Sequence, residues 1–337
     1  MRVPVVLYFV SLFCTGLSAV VDGEMFRNNS RRVTPVHWEV STLARVGFPM
    51  GVPVSSDGKL LAVFESSTNS GPYALNVITT RTTVRELRTL VGPNAAGFTD
   101  GGPGVAQFNG PSGLAMSPDM SWIAVADSSN NAIRRVDLVS GVVSTIAGQV
   151  DSGSRDGPGI TARFQYPTAL AFSTDGATLF VSDTGAHLIR MIDTTSYVVS
   201  TLAGKLVGTF PLYQGGFVDA VGLNARFSSP QGLAVSPDGS TLFVSDVDNH
   251  AVRRISLATR SVTTLAGSGY PGNNDGPSPQ FNQPRGLAAH PDGGLLAVAD
   301  SGNLRVRLID LTTGVGSTLA GSGQSVVQDG DALSAGF

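Results

Sequence analysis

The same unit is written several times along this chain, at spacings of 54 to 63 residues. Stretches beginning at Phe108, Phe164, Phe227 and Phe281 each read F-x-x-P, then Gly/Ala-Leu-Ala, then a polar turn with Asp. An apolar run ending in Asp, an Arg-bearing apolar run and a closing S/T-T-[IL]-A-G complete the unit. A repeat of this length is one supersecondary unit that buries its faces only against its neighbours. Residues shared by every copy are therefore assigned structural work first.

In the copy from Phe227 the apolar runs are Gly232–Val235, Leu242–Asp246, Ala251–Leu257 and Val262–Ala266, separated by Pro237-Asp238-Gly239, Asp248-Asn249 and Ala258-Thr259-Arg260. Runs this short, between turn residues, are strands rather than helices. A four-stranded antiparallel sheet with two apolar faces buries both by packing between copies, and a ring leaves no end open. Pro111, Pro167, Pro230 and Pro284 fit the first residue of a strand, where no ladder N–H is needed. The Phe three residues earlier is expected to plug the space between blades. Asp127, Asp183, Asp246 and Asp300, with Glu65 as a degenerate counterpart, end the second strand, where a short carboxylate is expected to accept N–H bonds of the following turn. Their recurrence in every copy argues against a metal ring.

Of the 22 basic residues only Lys59 and Lys205 are lysines, and the net charge of −3 gives no footprint for nucleic acid. Residues 1–22 follow the pattern of a secretory signal peptide: Arg2, an apolar core from Val3 to Leu17, then Gly16, Ser18 and Ala19 for cleavage. A secreted or extracellular-facing protein is the expectation. A membrane enters only if this segment stays uncleaved as an anchor or if a missing C-terminus carries one. Cys14, the one cysteine, lies inside the leader, so the mature chain would have no disulfide. Residues 23–37 are a polar segment with a possible glycosylation sequon at Asn28-Asn29-Ser30.

The stretches VADSSNNAIRRV from Val125 and VSDVDNHAVRRI from Val244 resemble the NHL repeat family. VSDTGAHLIRMI from Val181 has Ala for the Asn, and VADSGNLRVRLI from Val298 shifts the Asn and has Leu where His is common. The resemblance implies a propeller of usually six blades, used most often to bind proteins, glycans or RNA, with some secreted enzymes among proteins of similar architecture. The expected fold is thus all-β: a β-propeller of four-stranded antiparallel blades, with five blades visible and one strand of an incomplete sixth. The propeller spans 38–337, its blades at about 45–92, 108–148, 164–204, 227–267 and 281–321. In the degenerate first copy, Val46 replaces the Phe, and Leu61–Glu65, Tyr73–Ile78 and Val84–Val91 are its strands. Residues 38–44 contain Val40-Ser41-Thr42-Leu43-Ala44, an outer strand alone, and form a closing strand. Asp329 to Phe337 repeats the lead-in that precedes Phe108 and Phe164. A sixth blade is expected to begin at Phe337, which makes the sequence read as a fragment, with an irregular five-bladed protein as the alternative.

The loops between second and third strands share a face with the inter-blade loops. The long connection from Gly204 to Arg226 brings Phe210, Leu212, Tyr213 and Phe217 to that face. Aromatics on such a loop either anchor a partner or fold back as a lid. The contact residues expected are Phe210, Tyr213, Phe217 and His250, with Arg285 at the channel mouth. His187 and His250 occupy matching positions, which favours a structural role over a zinc pair. Peptide-amidating lyases resemble this architecture and place zinc-binding histidines after the strand-opening Pro; here those places hold Met50, Ser112, Thr168, Gln231 and Arg285. No cofactor, metal or catalytic residue is assigned. The expected function is non-enzymatic recognition of a protein or glycan, with a secreted lactonase-, esterase- or lyase-like propeller enzyme as the alternative.

Overall fold

Turn chemistry breaks the chain into strands close to where the repeat places them. The computed structural model describes residues 2–9, 17–27, 33–45, 60–66, 71–79, 87–325 and 330–337. In the copy from Phe227 the strands are Pro230–Val235, Thr241–Asp246, Ala251–Ser256 and Ser261–Gly267, paired antiparallel in chain order. The same meander occupies Pro111–Gly148, Pro167–Ala203 and Pro284–Ala320. Numbering the blades by copy, these are blades 2 (from Phe108), 3, 4 and 5. Blade 1 shows Leu60–Ser66, Tyr73–Thr79 and Leu87–Asn94. Its inner strand near Met50 lies outside the described residues, as do Val46, the Glu65 side chain and the Asn28 sequon. Among the described residues the only helical pieces are three-residue 3-10 turns.

The repeated Phe is the inter-blade plug. Phe108, Phe164, Phe227 and Phe281 are at most 2% exposed. Phe164 packs with Ala115, Ile133 and Ile146 of blade 2 and with Leu179 and Val181 of blade 3. Phe108, Phe227 and Phe281 each join the preceding blade to their own in the same way. The strand-opening Gly is set by close approach. A Cβ on Gly113 or Gly232 would sit 1.9 Å from the carbonyl oxygen of Thr168 or Arg285 in the next blade. No side chain fits there without moving the neighbouring backbone.

The lead-in before each Phe adds a short outer rung to the blade it introduces. Gly157–Pro158 pairs with Val198–Val199, and Ala220–Val221 with Ser261–Val262. Gly101 bridges to Val143 and Gly276 to Gly316. The chain ends meet by the same rule: Gly330 pairs with Val40 as Gly157 pairs with Val199. A sixth sheet results, in the order Arg2–Phe9, Leu17–Arg27, Val33–Arg45, Gly330–Asp331. Its first strand lies beside Pro284–Ala289 of blade 5. Residues read as a leader thus also have places as strands here, because a short run rich in Val, Leu and Phe satisfies either use.

Candidate functional site

The second-to-third-strand turns and the inter-blade loops gather on one face, and beneath that face lies a repeated ion network. Arg134, Arg190, Arg253 and Arg307 are fully buried. Each donates through one terminal nitrogen to the Asp ending the second strand (Asp127, Asp183, Asp246, Asp300) at 2.6–2.9 Å. The other terminal nitrogen reaches a lead-in carboxylate, Asp100, Asp156, Asp219 or Asp275, at 2.5–2.6 Å. The lead-in Asp also accepts the N–H of Thr145, Thr201, Thr264 or Thr318 in the outer strand. One Arg therefore ties second, third and outer strands to the lead-in.

The inner carboxylates do not cap the turn that follows them, correcting the expectation from sequence; those 3-10 turns have no side-chain cap. Their Oδ1 accepts instead the N–H of the residue after the Phe (Asn109, Gln165, Ser228, Asn282), 2.7 Å away. Burial pushes Asp127, Asp183 and Asp246 up to about 6, against the pull of the Arg and the hydrogen bonds. A site committed to an internal Arg is unavailable to a metal. Among the described residues no three His, Cys, Asp or Glu are grouped to hold one.

At the end of the 3-10 turn after the second strand in blades 2, 3 and 4, a residue in the left-handed conformation hooks the next blade. Asn131, His187 and His250 have φ of +52°, +57° and +48°. The Asn131 Oδ1 accepts from Tyr166 N–H at 2.9 Å, the His187 Nδ1 from Ser229 N–H at 2.8 Å, and the His250 Nδ1 from Gln283 N–H at 3.1 Å. An accepting Nδ1 puts the ring proton on Nε2 in a neutral imidazole. His250, expected at a partner contact, thus has a seam bond of its own. Burial also holds His187 below the ordinary histidine range, so the native ring takes a proton less readily than the unfolded one. Its stabilisation is present above about pH 6.5 and lost as pH falls through that value. We expect His187→Asn, which copies Asn131, to narrow the stability gap between about pH 7.5 and pH 5, measured by thermal melts; an unchanged gap would refute the seam assignment.

The long loop forms a small hairpin, Gly208–Thr209 against Leu212–Tyr213. Gln165 Nε2 donates to Pro211 O at 2.9 Å, pinning the hairpin over blade 3. This is the blade whose turn lacks the Asn: Asn130, Asn249 and Asn303 each donate to the inner Asp, whereas blade 3 has Ala186. Burial, and then the negative charge of Asp183, raise the Tyr213 phenol, and the residue is half-buried where Phe210 and Leu212 are exposed. Phe210 meets Tyr213 edge-on with centroids 6.4 Å apart. At the tip Phe210 is 51% and Leu212 79% exposed. Phe217 has a different role. Its ring covers the Arg253 guanidinium at 4.8 Å, as Phe98 covers Arg134 at 4.8 Å in blade 2. Arg285 is half-buried, with one terminal nitrogen 3.1 Å from Gln231 Oε1. The structure therefore brings Phe210 and Tyr213 together on the hairpin and leaves Phe217, His250 and Arg285 on other contacts. The sequence reading gave the lead-in Asp no role and left Leu212 out of the expected contact residues; the Asp stands eight residues before the Phe in blades 2 to 4.

A family model for the NHL repeat matches residues 281–307, which hold the plug Phe281, Asp300 and Arg307. The chain is an NHL-repeat β-propeller. The NHL repeat-containing protein 2 of Bos taurus is 27% identical over 307 residues, covering 67% of this chain and 42% of that protein. The chain thus spans less than half of that relative's length. A gluconolactonase of Zymomonas mobilis is 32% identical over 139 residues, 41% of this chain and 34% of the enzyme. A chain from a nidogen/laminin complex superposes with a TM-score of 0.62 at 13% identity, over 93% of this chain and 92% of the other. That likeness is one of fold.

Proposed function

We propose that this NHL propeller is a non-enzymatic recognition scaffold of the extracellular space that holds a protein or glycan partner on its turn-bearing face. The hairpin carries the reading. Phe210 and Leu212 stand out from a hairpin whose turn is fixed by the Gln165 bond to Pro211 O between them. Rigid presentation of apolar side chains lowers the ordering cost of binding. NHL propellers commonly mediate protein interactions, and the leader-like residues 1–22 support the extracellular setting. The net charge of −3 speaks against a nucleic-acid partner.

A second reading, a hydrolase of the lactonase kind with its site in the channel, is favoured by the gluconolactonase likeness alone. The two readings separate experimentally. Phe210→Ala with Leu212→Ala is expected to abolish capture of partners from an extracellular-matrix extract, while the melting temperature moves by less than about 2 °C because exposed sites contribute little. Undiminished capture by the double variant would sink the hairpin reading. Lactone turnover by the purified protein, unaffected by the hairpin change, would establish the second.

A further inference from the structure

The opposite face of the disc carries a cleft of about 350 Å³ at the junction of blades 2 and 3. It is lined by Trp122 and Arg135 of blade 2, Tyr197 of blade 3, and the turn carboxylates Asp119 and Asp175. We propose that this cleft is a binding site for a neutral saccharide of one or two hexose units.

Three observations set it apart from the repeated architecture. Trp122 occupies a position held by Thr178, Thr241 and Leu295 in blades 3 to 5, so this junction alone among them presents a large aromatic. Tyr197 (φ +56°) stands where Gly141 (+68°), Arg260 (+57°) and Gly314 (+73°) stand in the other blades, so blade 3 alone among them carries an aromatic at this left-handed position. The left-handed backbone is common to the four blades; what this junction adds is a ring carried on it that lines the cleft beside Trp122. Third, the Arg135 guanidinium lies 5.4 Å from the Trp122 ring centroid, and its Nε is buried without a hydrogen-bond partner among the described residues.

The charges select the ligand. Asp175 is engaged through Oδ1 by Ser173 and by Ala177 N–H. Asp119 is held by Ser117 and Ser121. Hydrogen bonds from the turn serines keep both carboxylates below the ordinary range, hence ionised and accepting. An anion would meet two carboxylates and a cation would meet Arg135. A sugar hydroxyl donates to the Asp and accepts from the Arg, while the C–H face of its ring packs on Trp122 and Tyr197. An apolar ligand would strip water from all three charged groups and return no hydrogen bond for it.

The test uses methyl glycosides of glucose, galactose, mannose and N-acetylglucosamine with the whole chain, read by tryptophan fluorescence in a Trp38→Phe background and by saturation-transfer NMR. At least one glycoside is expected to bind saturably in the millimolar range, with Tyr197→Gly weakening it by roughly tenfold or more. Glycine stands at this place in blades 2 and 5 and Arg260 in blade 4, so the backbone there accepts glycine, and a thermal melt of the variant checks that lost binding does not reflect misfolding. Phe210→Ala with Leu212→Ala should leave glycoside binding intact, which separates this site from the hairpin. No response to any glycoside up to about 100 mM, or equal affinity in Tyr197→Gly, would overturn the proposal.

Discussion

Arg253→Met is expected to destabilise the propeller by about 3–5 kcal/mol in urea titration, a large share of the ~5–15 kcal/mol that holds a domain together. The guanidinium is fully buried between Asp246 and Asp219 and also donates to Arg226 O and Val218 O. Methionine fills much of the volume but leaves a buried carboxylate and two carbonyls without their donor. The charge, rather than the space, dominates the loss. Asp246→Asn combined with Arg253→Met removes both buried charges and should recover most of it, while Asp219→Asn alone, at a half-exposed carboxylate, should cost about 1 kcal/mol or less. The defect also depends on pH. Asp246 is already pushed up to about 6 by burial, and without Arg253 it rises further above its unfolded value. A raised folded pKa contributes stability below the unfolded value and loses it as pH rises, so the deficit should be larger at about pH 8 than at pH 5. A uniform deficit across that range would show that packing, not charge, had been lost.

Phe164→Ala is expected to cost a similar amount, about 3–5 kcal/mol, for a different reason. The ring is 0% exposed and touches side chains of both blades 2 and 3, so its removal leaves a void neither sheet can close alone. It also takes away the ring whose centroid lies 5.2 Å beneath the Arg190 guanidinium. Since the residue sits on a seam, amide exchange should speed up in the strands of blades 2 and 3 together. Faster exchange confined to blade 3 would mean that the Phe belongs to one blade's core and is not a plug.

Much of this was legible in the chain because each copy repeats it. The strand bounds of the copy from Phe227 fall within two residues of those read from turn residues, and the Phe plug follows from an aromatic fixed three residues before a strand-opening Pro. The role of the inner Asp did not follow. Sequence neighbourhood suggests a cap on the next turn, whereas its partners stand eighteen residues earlier and seven later. Those pairings exist only once strands are laid side by side. Phe217 misleads for the same reason: on the page it is a loose loop aromatic, and in space it is a lid on Arg253. Trp122 and Tyr197 are not marked by the repeat, since Trp122 departs from it in one copy and Tyr197 stands where the copies already differ (Gly141, Arg260, Gly314), and their meeting depends on two blades being docked. The leader-like N-terminus reads two ways, since an apolar run does not declare whether lipid, a peptidase or a neighbouring strand will receive it.

The short outer rungs have a bearing on solubility. The outer strand of a blade offers a row of open N–H and C=O groups, the kind of edge on which a foreign strand can seed a growing sheet. In this disc Gly157–Pro158, Ala220–Val221 and Gly330–Asp331 lie on those edges, and each is only two residues long. A proline or a tight turn follows, leaving no length of backbone for another molecule to template against. Protection against aggregation therefore resides in the lead-ins, outside the core. A lesion there would leave the fold nearly as stable as before and yet make the protein stick to itself.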